Sequence, residues 1–278
     1  MRVGNVECAV LSDGEFRMDG GAMFGIVPKV LWEMVVRSDE LNRIPMALNC
    51  LLVRSEGKHI LVDTGFGGKL PSKETENLAL HRHHGDLLHN LQRHGLGADD
   101  IDIVINTHLH SDHCGGNTTI RHSVCAPTFR NAQYWVQRLE WREAFHTNER
   151  TRRSYLSENF AALQETTRLR LLDGDTKVTS EVRCMATRGH TRGHQSVIIE
   201  SAGEAAVFLG DLAARAVHLE RLAWTTAFDT EPPQTVETKR ALREWALEKE
   251  ALLFFGHDVR TPVGRLHREG DNFWVEAP

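Results

Sequence analysis

The stretch "THLHSDHCGG", residues 107–116, places His108, His110, Asp112 and His113 within six positions, directly after the β-branched run "IDIVINT" (101–107). Such a run reads as a buried strand, so the cluster is delivered at a strand's C-terminal end, where α/β proteins tend to build their sites. On extended backbone, residues two apart point the same way; His108 and His110 therefore present their imidazoles together, while Asp112 and His113 lie on the following turn and can face a second position. Imidazole nitrogens and a carboxylate are donors that suit zinc, and also iron or manganese. Taken alone, the cluster leaves open whether it binds one metal, two or none.

Upstream, "ALNCLLVRS" (47–55) and "KHILVDTG" (58–65) read as a hairpin turning at a glycine. The segment "GDLLHNLQRHGLG" (85–97) has Leu87, Leu88 and Leu91 at helical spacing and a stop at Gly95 and Gly97. Downstream, residues 133–164 look mostly helical. Their aromatics Tyr134, Trp135, Trp141, Phe145, Tyr155 and Phe160 either pack on the core as a helix pair or form a cap over the site. Short strands are expected at 181–187, 194–201 and 204–211, a helix over about 234–250, and a last buried strand in "ALLFFGHD" (251–258). The pattern predicts an α/β (α+β) fold with two β-rich halves covered by helices, as a single domain over 1–278.

With 278 residues, 41% apolar and 26% charged, the chain can bury a sizeable core. A formal charge of −5 gives no general attraction to nucleic acid or an anionic membrane. No apolar leader or membrane-length stretch is evident, and five cysteines without a CxxC pair fit reduced thiols, so a cytoplasmic location is expected. Cys114, beside His113, reads as a small residue in a tight loop. The exposed run "HRHHGDLLH" (81–89) reads as a solvated face. No GxSxG elbow, P-loop or GxGxxG is present, so a metal-activated water is the one nucleophile on offer.

Three further ligand-type residues end predicted strands: His190 in "RGHTRGH", Asp211 in "FLGD" and His257 in "FFGHD". With "HLHSDH" and the "LVDTG" around Asp63, this ordered set resembles the metallo-β-lactamase superfamily from about Asn49 to Asp258. The resemblance implies an αββα sandwich of two mixed sheets, the site at one edge. It assigns His108, His110 and His190 to one metal and Asp112, His113 and His257 to the other, with Asp211 bridging. Asp211 at the bridging place is similar to hydrolases of esters, thioesters, lactones and phosphoesters, whereas true β-lactamases carry Cys or Ser there. Asp63 is expected either to orient a ligand histidine or to form a turn.

The implied cofactor is a pair of divalent ions, zinc first, with iron or manganese as alternatives, supplying a bridging hydroxide to an ester or lactone carbonyl. Asp112 and Asp211 are the expected catalytic carboxylates. The stretches 19–33 and 218–235 resemble the quorum-quenching lactonase and organophosphate hydrolase group, the first as a loop over an apolar pocket. That group usually has Tyr three residues after the bridging Asp; Ala214 stands here, and His218 is the candidate substitute as proton donor or substrate contact. Arg192 replaces a usual Pro. A glyoxalase-II-like thioesterase, a phosphoesterase or nuclease, and a mononuclear iron persulfide-type dioxygenase using His108, His190 and Asp211 are the rivals. The expected partner is a small molecule, with neither nucleic acid nor membrane; a homodimer is left open.

Overall fold

A computed structural model describes residues 1–278. The first sheet runs in the order β1 (Arg2–Val3), β2 (Val6–Asp19), β3 (Arg43–Ser55), β4 (Lys58–Val62), β5 (Ile103–Ile105), β8 (Gln133–Gln137), β9 (Leu169–Leu172); a separate hairpin, β6 (Thr118–Arg121) and β7 (Val124–Pro127), stands outside it. Its β1–β4 part is antiparallel, and β4, β5, β8 and β9 are parallel. The second sheet follows chain order from β10 (Thr176–Lys177) and β11 (Val182–Ala186) through β12 (Gln195–Ser201), β13 (Glu204–Phe208) and β14 (Leu252–Phe254) to β15 (Val263–Glu269) and β16 (Asn272–Glu276). Only β13 and β14 are parallel, joined by the crossover helix Pro232–Glu248.

Side-chain alternation along the strands sorts the core into layers. Leu51 and Val53 of β3, Ile60 and Val62 of β4, and Ile103 and Ile105 of β5 meet Val197, Ile199, Phe208 and Phe254 between the sheets. The intervening Cys50, Leu52, Leu61 and Val104 face outward onto Leu87, Leu91 and Trp141. On the other outer face, Val207 and Leu253 lie under Leu242 and Ala246 of the crossover helix. The result is helix, sheet, sheet, helix, as the motif order implied. The β3–β4 hairpin turns through Glu56 and Gly57, both at positive φ, the geometry that matches strand twist in a two-residue turn.

One expectation is corrected. Residues 133–164 are not mostly helical: Gln133–Gln137 is a strand, Arg138–Phe145 is the segment's one α-helix, and Ser157–Asn159 and Ala161–Leu163 are single 3-10 turns. The physical reason lies in "YWV", a bulky β-forming run. It alternates, Tyr134 and Val136 entering the outer layer and Trp135 the space between the sheets. Trp141, Phe145 and Phe160 then pack tilted or edge-to-face on one another with ring centroids 5.1–5.8 Å apart, on the outside of the first sheet. Residues 19–33 are likewise more ordered than a loop, forming the short helices Gly20–Phe24 and Lys29–Trp32. Met23, Phe24 and Trp32 are buried in a fourth apolar cluster, with Phe16, Phe66 and Ala214. No helix is long and apolar enough to cross a membrane.

Candidate metal centre

The seven expected ligands converge where the two sheets meet. His108 and His110 follow β5, Asp112 and His113 lie on the turn Ser111–Cys114, His190 precedes β12, Asp211 follows β13, and His257 follows β14. Three groups of ligand atoms each lie within 4.8 Å of one another: His108, His110 and His190; His108, His113 and Asp211; Asp112, His113 and His257. His110 Nδ1 is 3.1 Å from His190 Nε2, and His113 Nε2 is 3.0 Å from His257 Nε2. Two lone-pair nitrogens pointed at each other at that range repel unless a proton or a cation lies between them.

Hydrogen bonds on the far side of the rings set which nitrogen faces the centre. His113 Nδ1 donates to the Asp63 carboxylate at 2.8 Å, His190 Nδ1 to Asp229 at 2.9 Å and His257 Nδ1 to the Ala47 carbonyl at 2.7 Å. Thr107 Oγ1 donates to Asp63 and so accepts from His108 Nδ1 at 3.0 Å. Each of these four histidines therefore turns a bare Nε2 inward. His108 Nε2 and Asp211 Oδ1 are buried with no hydrogen-bond partner, although His113 and His257 Nε2 stand 3.4 and 3.3 Å from that oxygen. Orphaned acceptors in a buried site of this donor type fit divalent cations.

The electrostatics divide the cluster, holding His108 and His110 neutral and drawing positive charge toward His113, His190 and His257. Burial, then the neighbouring His113, His110 and His190, hold His108 well below the usual imidazole pKa, and burial and His190 do the same to His110. Burial also opposes protonation of His113, but Asp211, Asp112 and Asp63 outweigh it and raise its pKa well above the usual value. Asp211 is driven well below the carboxylate range because His257 and His113 overcome the cost of burial. Asp112 is the exception to the burial, with 19% of its side chain exposed to solvent.

Local sequence makes this convergence possible. Gly210, at φ +56°, precedes Asp211; a Cβ there would stand 2.6 Å from His194 Nε2. Gly193 brings the "GHTRGH" loop so close to the helix Arg138–Phe145 that its Cβ would meet the Glu140 amide nitrogen at 2.2 Å. Asp63 serves both expected roles, a turn residue at φ +58° and the acceptor for His113 and Thr107.

Several residues escaped sequence reading. Glu140 is fully buried and accepts from Leu109 N at 2.9 Å, Tyr155 Oη at 2.9 Å and Thr191 Oγ1 at 2.6 Å, tying both ligand loops together. Burial raises its pKa against those three donors. The Tyr155 ring lies 4.8 Å from His110. His194 Nε2 accepts the Asp211 amide at 3.1 Å, and Asp229 is held by Thr226 as well as His190. A lone acid inside the apolar run "LEW" and the second histidine of "RGHTRGH" were the available signals.

The structure does not bring His218 into the ligand cluster. Its Nε2–H donates to the Met23 carbonyl at 3.0 Å, its ring lies 5.3 Å from Phe24, and burial with the nearby Lys239 and Arg215 charges pushes its pKa down to about 3. Ala214 is buried in the apolar cluster. Cys114 is a buried thiol donating to the Leu109 carbonyl, not a ligand. His81, His83, His84 and His89 are exposed, as expected.

A family model described as the metallo-beta-lactamase superfamily matches residues 43–257. An N-acyl homoserine lactonase from Bacillus sp is 29% identical over 225 residues, which is 77% of this chain and 82% of the relative. A Staphylococcus aureus protein described as a probable metal-dependent hydrolase superposes with a TM-score of 0.91 at 28% identity, covering 100% of this chain and 97% of the other. The dizinc quorum-quenching lactonase AidC, solved with N-hexanoyl-L-homoserine, superposes at 0.83 with 20% identity over 100% and 96%, a likeness of fold.

Proposed function

This chain belongs to the metallo-beta-lactamase superfamily and is a metal-dependent hydrolase, and from that premise we propose that it opens a small, mostly apolar lactone or ester at a dinuclear centre. His108, His110 and His190 would hold one ion and Asp112, His113 and His257 the other, with Asp211 between them. The observation that carries this is the linkage of three donor groups through shared residues, His108 in two and His113 in two. A mononuclear dioxygenase needs only His108, His190 and Asp211, and leaves the inward Nε2 atoms of His113 and His257 without a task. Divalent ions bound here supply Lewis acidity, polarising the substrate carbonyl and making water nucleophilic at neutral pH, with zinc the expected metal.

The chain's own residues do the rest. Asp63 and Asp229 keep His113 and His190 in the ligating tautomer. Asp112, the one partly exposed carboxylate of the cluster, would carry a proton to the leaving alkoxide. Neither tyrosine offers a phenol to substrate, because Tyr155 Oη donates to Glu140 and Tyr134 Oη is bonded within the outer layer. The apolar cluster that holds Met23, Phe24, Phe66, Trp224 and Ala214 reaches the centre through Phe16, whose ring lies 5.8 Å from that of His257, and an apolar flank of this kind favours an acyl or alkyl substituent over a charged one. Residues 133–164 would wall the site through Tyr155, within one domain.

Metal analysis of the purified protein, coupled to a panel of N-hexanoyl homoserine lactone, simple lactones, aryl esters, thioesters and phosphotriesters, tests the reading. About two divalent ions per chain and highest kcat/KM on lactones are expected. One iron per chain with oxygen uptake, or lactone and ester rates at background, would overturn it.

A further inference from the structure

Beyond Asp258, and including none of the candidate ligands, lies a cavity of about 330 Å³ lined by Met34, Arg37, Pro45, Arg215, Val259 and Arg260 among others. Arg215 is 4% exposed. Its Nη1 donates to the Pro45 carbonyl at 2.7 Å, and its nearest carboxylate oxygen, Asp258 Oδ1, stands 4.0 Å from Nη2, too far for a hydrogen bond. That carboxylate is already taken by the amides of Ala216, Arg260 and Thr261. The one acid lining the cavity, Glu33, accepts from Ser38 Oγ at 2.7 Å and pairs with Lys29. Arg37 and Arg260 are exposed and form no ion pair within the chain.

Three guanidinium groups thus share one cavity whose lining acid is engaged elsewhere, and the most buried of them bonds the Pro45 carbonyl and, at 3.7 Å, the Met46 sulfur through Nη1 of its five-donor fork. Asp258 faces the Arg215 charge at 4.0 Å without a hydrogen bond, and an anion in the cavity gives the guanidinium the directly bonded acidic partner it lacks. Guanidinium forks match the two oxygens of a carboxylate. Met34, Pro45 and Val259 add an apolar wall that inorganic ions do not use.

We propose that this cavity is a second binding site, separate from the metal centre, for an aliphatic carboxylate whose head is gripped by Arg215, Arg37 and Arg260 and whose tail lies on Met34 and Val259. The site does not depend on the lactonase reading, since none of the residues lining it belongs to the candidate ligand groups.

Calorimetric titration of the metal-loaded protein with hexanoate, and with hexane-1-sulfonate as an anion that coordinates metals weakly, provides the test. Both probes are expected to bind, and the double variant Arg37→Gln, Arg260→Gln to weaken both by about tenfold or more, as loss of charge-assisted hydrogen bonds predicts. Arg215→Lys, which keeps the charge and loses the fork, is expected to weaken them as well. Unchanged affinity in these variants, binding of hexanoate without hexane-1-sulfonate, or inorganic phosphate binding as tightly as hexanoate would overturn the proposal.

Discussion

The behaviour of the centre rests on a few carboxylates that touch no substrate. Asp63 joins the backbone of Thr107, the hydroxyl of Thr107 and the ring of His113, so one side chain fixes two neighbouring ligands. Asp63→Asn keeps the size but offers His113 an amide in place of a full charge. Affinity for the more weakly held ion is expected to fall by about 10–100-fold, read by competition with a chromophoric chelator. His218 gives a pH signature of a different kind. Its pKa lies at about 3 in the folded chain against about 6.5 unfolded, so its contribution is complete above pH 6.5 and is lost as pH falls toward 3. His218→Gln, which can still donate to the Met23 carbonyl, should flatten the acid limb of the stability curve by about 1.4 kcal/mol per pH unit between pH 6 and 4. Denaturant titrations across that range measure it, and the similarly depressed His194 leaves part of the slope in place.

Among the elements, Glu140 on the helix Arg138–Phe145 is the joint between the "HLHSDH" and "GHTRGH" loops. Glu140→Ala leaves Leu109 N, Tyr155 Oη and Thr191 Oγ1 buried without their acceptor, an expected loss of about 2–4 kcal/mol in unfolding free energy. Metal affinity should drop in parallel, whereas a purely local packing defect would lower stability alone. How the elements were legible follows from their chemistry. The β3–β4 hairpin, β11–β14 and the crossover helix announce themselves because period-two and period-3.6 patterns survive where one or both faces are buried. The strand Gln133–Gln137 did not, because its short "YWV" run leads without a turn signal into the helix Arg138–Phe145 and so reads as part of it. The candidate ligands were readable as residue types at or just after strand ends, and the fold brings them together. Their supports, Glu140, Asp229 and His194, were not, since a lone acid or histidine gains meaning only when folding places it beside a ligand.

For the whole molecule, the centre belongs to neither sheet alone: ligands follow β5 of the first and β13 and β14 of the second. Bound metal should therefore stabilise the entire fold. With free metal at a hundredfold over its dissociation constant, the gain is about 2.7 kcal/mol per ion, and chelation should lower Tm by several degrees together with abolishing turnover. A chelated protein that keeps its Tm would mean that the sheets hold the site without help from the ions.

The same seam between the sheets has a consequence in time. His108 and His257 are 149 residues apart, so the ligand set cannot exist in any early, locally folded fragment. Pairings of such long range form late. Metal capture then comes after the rate-limiting step, which makes refolding speed indifferent to metal concentration while unfolding slows as metal is added. Metal bound at this seam would act as a seal on a finished structure rather than as a seed for it.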